Sequence, residues 1–365
     1  MKTIKQITNY IEELAPLSYA EGFDNVGLLV GNYHTQVTGI LVTLDTLEQT
    51  IDEAITKKCN LIISFHPIIF SGLKKLNGSN YVERAVIKAI KNDIAIYAMH
   101  TALDNSFKGV SAKMCEVIGL KNTKVLIPQK GNLKKLTTYV PHKNAEELRN
   151  VLFTIGAGNI GNYDQCSFNV DGEGTYRGNE NANPTVGEKN TTHHEPETCI
   201  SVIFEKHIEQ KLIKTLFKNH PYEEIAYEII SLDNIHQNIG MGMVGELEDE
   251  MDIKSFFNLL KNKFNLKALR HSALSDKKIK RVAVLGGSGS FAIGHAKKAG
   301  ADIFITADLK YHDFYRAENQ IVLTDIGHYE SEQFTKNLLV DYLTKKITNF
   351  AIILSENNTN PINYI

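Results

Sequence analysis

The chain is poor in cysteine: 4 residues in 365, none of them in a C-x-x-C pair. Cys59, Cys115, Cys166 and Cys199 are too scattered for a disulfide framework or a zinc finger, and reduced packing thiols are the plain expectation. An excess of one charge is also missing. Lys+Arg is 40 against Asp+Glu 42, a formal net charge of −2. That balance gives no electrostatic case for general binding to nucleic acid or an anionic membrane. No apolar run approaches the roughly 18 to 20 residues of a membrane span. The N-terminal MKTIKQITNYIEELAPL lacks the unbroken apolar core of a signal peptide. A cytoplasmic protein with no membrane segment is therefore expected. At 42% hydrophobic and 22% charged, the chain has enough apolar material for more than one core. It also carries 13 His, nearly as many as its 16 Phe.

Ile4, Ile7, Ile11 and Leu14 fall at helical spacing, and Pro16 ends the pattern. GLLVG (27–31), GILVTLD (39–45), LIIS (61–64) and IAIYAM (94–99) read as strands, with helical stripes at 47–59, 82–92 and 110–119. Strands apolar throughout and alternating with helices indicate a parallel sheet covered on both faces. The alternation breaks after this. KLTTYV (135–140), a helix to Ile155, TCISVIFE (198–205), a helix at 208–217 and EIAYEIISL (224–232) suggest a small α+β module of ferredoxin-like type. Its polar stretch at 171–197 reads as loop, with His193 and His194 in it. From about 240 the alternation resumes. A helix at 253–264, strands at 281–287, 302–308 and 321–327, a helix at 334–343 and FAIILS (350–355) complete the chain. The expected fold is α/β: a discontinuous core of two halves, residues 1–125 and 237–365, with a mostly parallel sheet. The ferredoxin-like α+β module is inserted at 126–236.

Open α/β sheets bind ligands at the carboxyl ends of their strands. His66 follows one strand, His100 and Asp104 the next. Asp308, Lys310 and His312 follow a third, and His328 and Glu332 a fourth. Each alone can be a satisfied structural residue; four such groups after four strands point to a shared site. His328 and Glu332, at i and i+4, share one face of a helical turn. Imidazole and carboxylate suit zinc, iron and manganese. His66 and Asp104 can complete a cluster of two His and two acids, and a carboxylate such as Asp104 or Glu332 can bridge two metals. A metal also removes the cost of burying unpaired acids. His34, His142, His207, His236, His271 and His295 read as surface or packing. The Gly286–Ser290 loop can cradle a phosphate or be a plain βα turn. Lys310 beside Asp308 can orient an anionic substrate or form an ion pair. Asp24 and Asn25 can orient a ligand or make an Asx turn.

Five stretches together resemble one family. They are AEGFDNVGLLVG (20–31), SFHPIIF (64–70), HTALD (100–104), TADLKYH (306–312) and DIGHYESE (325–332). They resemble W-D-N-x-G-L-x-x-G, H-H-P-x-x-F, H-T-x-x-D, T-G-D-x-x-x-H and D-x-G-H-x-x-x-E of the GTP cyclohydrolase I type 2 homologues, also called Nif-three-like proteins. GEGTYR (172–177) and HPYEE (220–224) resemble the inserted module of the longer bacterial members, which is similar to PII and CutA proteins. The resemblance implies a dimetal centre with His66, Asp104, His328 and Glu332 as ligands, one or two ions per subunit. Zinc is the first expectation, with manganese or iron as alternatives. It also implies a toroidal homohexamer with the metal sites facing an internal cavity. Two departures stand out. Phe65 replaces the first of two adjacent His, so one metal is expected to be held weakly, through water, or not at all. Phe23 replaces a Trp.

The expected activity is metal-dependent hydrolysis of a nucleotide-like substrate, with GTP ring opening implied by the family name. His100 or His312 is the candidate proton shuttle, and Lys310 can neutralise substrate charge. Asp24, Asn25 and Asp308 are the candidate substrate-binding residues. The rival is a non-catalytic ring that senses a metabolite or metal, or scaffolds nucleic acid; net charge −2 argues against the last. A purely structural metal is the third reading.

Overall fold

The computed structural model describes residues 2–274 and 276–365. The chain folds as two compact units, residues 1–128 with 238–365, and residues 129–237. The first half of the larger unit runs α1 (Ile4–Leu14), β1 (Gly27–Val30), β2 (Ile40–Thr43), α2 (Glu48–Thr56), β3 (Leu61–Ser64), α3 (Tyr81–Lys91), β4 (Ala95–Ala98), α4 (His100–Asp104), α5 (Val110–Ile118) and β5 (Lys121–Pro128). The smaller unit follows as β6 (Leu133–Pro141), α6 (His142–Thr154), β7 (Phe168–Tyr176), β8 (His193–Glu205), α7 (Glu209–Asn219) and β9 (Tyr227–Leu232). The larger unit then resumes with β10 (Gly240–Met251), α8 (Ile253–Phe264), β11 (Arg270–His271), β12 (Ile279–Ser288), α9 (Ile293–Lys298) and β13 (Ile303–Ala307). It ends with β14 (Val322–Asp325), α10 (His328–Glu332), α11 (Thr335–Lys346) and β15 (Ile352–Leu354). Among the described residues no helix is long and apolar enough to cross a membrane.

The larger unit holds two sheets rather than one mostly parallel sheet. The first has the order β1-β4-β3-β2-β15. It is parallel except for β1, which runs antiparallel to β4. The second has the order β11-β14-β13-β12-β10-β5, with only β12, β13 and β14 parallel. Strand β10 explains the difference. Its Gly240, Gly242 and Gly245 look like loop residues, yet they let neighbouring backbone approach closely. A Cβ on Gly240 would strike the Ile127 carbonyl of β5. So β10 pairs with both β5 and β12 and adds an antiparallel flank.

Each sheet is covered by amphipathic helices. Thr3 caps α1 through a reciprocal capping box with Gln6. The α1 stripe of Ile4, Ile7, Ile11 and Leu14 packs with Val42, Leu61, Ile63 and the α11 residues Leu339 and Leu343. Helix α5 serves both cores. Val110 joins the first, while Met114, Cys115 and Ile118 join the second, against α8 and strands β12 and β13. The larger unit is thereby one body with two sheets, and the carboxyl ends of β2, β3, β4, β13 and β14 carry the site described below.

The smaller unit is a four-stranded antiparallel sheet, order β7-β8-β6-β9, with α6 and α7 supplying the apolar cover. Its βαββαβ sequence and this strand order are those of a ferredoxin-like sandwich. The polar stretch at 171–197 is not all loop. Phe168–Tyr176 pairs with His193–Ser201 along the full β7–β8 ladder. Most of β7 is exposed, so it shows no apolar alternation to betray a strand. His193 and His194 accordingly lie on β8, paired with Glu195 and Glu173.

Candidate metal centre

Strand β3 is buried throughout and ends at Ser64, with Phe65 and His66 immediately after it. The His66 N–H donates to the Leu44 carbonyl at 2.9 Å, which fixes the backbone beside the end of β2. Strand β14 ends at Asp325, whose Oδ1 accepts the Gly327 N–H at 3.0 Å. Gly327 takes φ of 94°, which turns the chain into the short helix α10. That turn sets His328 and Glu332 on one face.

The result is a compact group. His66 Nε2 is 3.1 Å from Glu332 Oε2, and His328 Nε2 is 3.2 Å from the same oxygen. The two Nε2 atoms are 3.4 Å apart. Each outer nitrogen is tied to an acid: His66 Nδ1 to Asp45 Oδ1 at 2.8 Å, and His328 Nδ1 to Asp308 Oδ2 at 2.7 Å. A carboxylate only accepts, so both Nδ1 atoms carry a proton, and both Nε2 atoms face Glu332, where each can hold a proton or a metal. Glu332 is only 4% exposed. Two imidazole Nε2 atoms and a buried carboxylate oxygen thus converge on one point, and His66, His328 and Glu332 could hold a metal ion there.

The electrostatics agree. Burial alone would lower the His66 and His328 pKa values. Hydrogen bonds to flanking carboxylates outweigh it and raise them to about 10 and about 11. Burial would raise Glu332, but the two imidazoles hold it down at about 2. The group is built to take a cation, and a proton fills that role when a metal does not.

Over residues 2–361 the chain matches the family model described as Duf34/NIF3 (NGG1p interacting factor 3). It belongs to the Duf34/NIF3 family. A Bacillus subtilis protein named GTP cyclohydrolase 1 type 2 homolog is 36% identical over 371 residues, covering 99% of this chain and 98% of its own. A Staphylococcus epidermidis protein of the same name is 33% identical over 365 residues, with 99% of each chain covered. The crystal structure of a Bacillus cereus protein related to NIF3 superposes with a TM-score of 0.87 at 35% identity, covering 100% of this chain and 99% of that one.

Around the NIF3-family centre the other sequence-derived residues separate. Asp104 is not in the group of three. It adjoins it electrostatically: burial, then the Glu332 charge, push its carboxyl well above the usual range. His100 pairs with Asp24, Nδ1 to Oδ1 at 2.8 Å, and its ring lies 5.5 Å from that of His66. Burial would raise Asp24, but His100 and Thr101 hold it below the ordinary value. Asp24 therefore positions His100. Asn25 is committed locally, its side-chain amide donating to the Ile69 carbonyl at 2.5 Å. Asp308 orients His328 and is not a free substrate contact. Lys310 and His312 are exposed, and the His312 ring meets that of Tyr311 edge-on and lies tilted beside that of Tyr315. Among the described residues no hydrogen bond or ion pair joins either to the cluster. Asp308, with φ of 56°, turns inward after β13, and the chain beyond it runs to the surface.

Asp45 was missed by sequence reasoning, although it ends the GILVTLD strand just as the other acids and His follow theirs. The Gly286–Ser290 segment also reads differently. Gly286, Gly287 and Ser288 still belong to β12, and the Gly287 N–H donates to Ser331 Oγ at 2.9 Å. That amide supports α10 rather than an anion. Gly287 has φ of 66°, and a Cβ there would collide with Glu332 Oε1. Gly287→Ala is expected to lower metal affinity by about tenfold or more, since it moves a ligand and strains the backbone by about 1–3 kcal/mol. Competition with a chromogenic chelator reads the affinity, and an unchanged value would show that Glu332 tolerates displacement.

Proposed function

We propose that the protein is a metal-dependent hydrolase acting on a nucleotide-like substrate, with one ion held tightly by His66, His328 and Glu332. The observation that carries this reading is the unfinished ligand set. Three protein ligands converge, and the His328 side chain at their edge is 39% exposed. Structural zinc sites are closed by four protein ligands, whereas catalytic sites keep a position open. Zinc is the first candidate, with manganese or iron as alternatives. The names of the curated relatives support a guanine nucleotide as the first substrate to try.

A divalent ion in this site supplies Lewis acidity and makes water nucleophilic at neutral pH. The chain's own residues supply the rest. Asp45 and Asp308 fix the tautomers and ring planes of the two His ligands. Asp24 holds the Nδ1 proton of His100, leaving His100 Nε2 to accept or return a proton beside the ligands. Phe70 is 49% exposed and Phe23 69% exposed, with their rings 6.5 Å apart and Phe70 6.1 Å from His100. Exposed aromatic faces beside a polar site suit a planar base.

Metal-loaded protein should turn over GTP or a member of a nucleotide panel. His100→Gln should lower kcat by about 100-fold at unchanged metal content, and Phe70→Ala should raise KM. Full metal occupancy with no turnover across the panel would overturn the hydrolase reading in favour of a metal or metabolite sensor. We also propose, on the family resemblance, a homohexameric ring and a PII/CutA-like identity for the smaller unit. The βαββαβ order supports the latter, and light scattering tests the former.

A further inference from the structure

The smaller unit contains a cavity of about 840 Å³, bounded by the β7–β8 hairpin, the connection 177–192 and the segment 220–226. It is lined by 172–177 and by 222–224, parts of the two stretches that the metal centre leaves unused. Its volume falls within the range of about 300–1,000 Å³ found for small-molecule sites.

Glu197 anchors the wall. The residue is 8% exposed, and its Oε1 accepts the Tyr222 O–H at 2.7 Å. Its Oε2 has no hydrogen-bond partner among the described residues. A Cβ on Gly174 would occupy the position of this carboxylate, so the glycine makes room for it. The surroundings are rigid. His220 is buried and bonded on both nitrogens, to the Tyr139 carbonyl at 2.9 Å and from the Tyr222 N–H at 3.1 Å. Tyr176 donates its O–H to the Val186 carbonyl at 2.9 Å, and its ring meets that of Tyr222 at 5.8 Å and 62°. A buried carboxylate with an unused oxygen thus sits beside two fixed aromatic rings.

The charge of the lining selects the ligand. Glu197, Glu223 and Glu224 line the cavity with Arg177 as the one Lys or Arg among the lining residues, whereas the Asp171 and Glu173 carboxylates lie on the other face of β7, bonded to Thr198 and His194. Phosphates and carboxylates are repelled by such a wall. The metal-ligating group found among the described residues lies in the larger unit, so a bare metal ion is not the fit. We propose that this cavity binds a small organic cation, an amine or guanidinium whose N–H donors meet Glu197 and whose charge lies against the Tyr176 and Tyr222 rings.

Calorimetric titration of the full chain with agmatine and with spermidine tests this, with succinate as the anionic control and no added metal. Saturable binding of at least one cation is expected, together with no succinate binding. Glu197→Gln keeps an oxygen for Tyr222 but loses the charge, and should weaken binding about tenfold or more. Tyr176→Leu should weaken it as well, and carries the test alone if circular dichroism shows that Glu197→Gln does not fold. Three results overturn the proposal: no binding of either cation, cation affinity unchanged in the folded variants, or succinate bound in preference. None of them bears on the metal centre.

Discussion

Glu332→Gln is expected to strip the protein of the metal proposed for its centre. Glutamine has the same shape, so the packing of α10 against β12 survives. The anionic oxygen between the two imidazoles, however, is replaced by a neutral amide. The remaining ligands are two neutral His, and removing outer-sphere partners alone commonly costs about 10–100-fold in metal affinity. Loss of a direct anionic ligand should therefore exceed about 100-fold. Metal per chain after dialysis reads the stoichiometry, and chelator competition reads the affinity. A second readout is thermal. Metal at about 100 times its dissociation constant stabilises the unsubstituted protein by about 2.7 kcal/mol, and that gain should vanish in the variant. If the variant loses metal yet melts cooperatively, the ion serves function and not folding. Retention of one tightly bound ion would remove Glu332 from the ligand set.

The fold was readable wherever burial imposes a pattern. Strands β2, β3, β4 and β13 are buried on both faces and spell unbroken apolar runs, while α1 and α8 show helical stripes. Reading stopped where backbone contacts replaced side-chain packing. Strand β10 spends three positions on glycine to admit its neighbours, and β7 is solvent-facing over most of its length. Neither shows the periodicity that marks a half-buried strand. Missing β10 and β5 hid the antiparallel flank of the second sheet, and so the existence of two sheets.

The centre was readable for a different reason. Strand ends are where an α/β unit presents chemistry, so His66, His328 and Glu332 could be placed by order alone. Their hydrogen-bond partners could not. Asp45 and Asp308 look alike in sequence, as acids after apolar strands, and only geometry shows that each holds the outer nitrogen of one imidazole. Asp24 likewise reads as a ligand contact or an Asx turn until its bond to His100 is seen. Spacing along the chain reports which strand end a residue occupies. It does not report which side of an imidazole a carboxylate reaches across tens of residues.

Phe65→His is expected to raise metal content from one ion per chain to two. Phe65 is fully buried, with its ring 4.9 Å from that of His66 and 5.8 Å from that of His100. It belongs to the apolar cluster that includes Ile63, Met99 and Leu103. Asp104 adjoins the same His66–Glu332 group electrostatically, and its carboxyl is pushed well above the usual range by burial and then by the Glu332 charge. A buried acid pushed upward by burial and by a neighbouring carboxylate is a group that a second cation would recruit, since added positive charge offsets both causes. Position 65 fixes whether that cation has a nitrogen to bind. In metal-free protein the substitution exchanges a buried aromatic for a polar ring and should cost about 2–4 kcal/mol. With metal present the same ring becomes a ligand, so the added ion should recover most of the loss. Metal analysis and melting curves, each with and without zinc, separate the two contributions. A folded variant that still holds one ion, and whose lost stability zinc does not restore, would show that residue 65 does not control the number of metals.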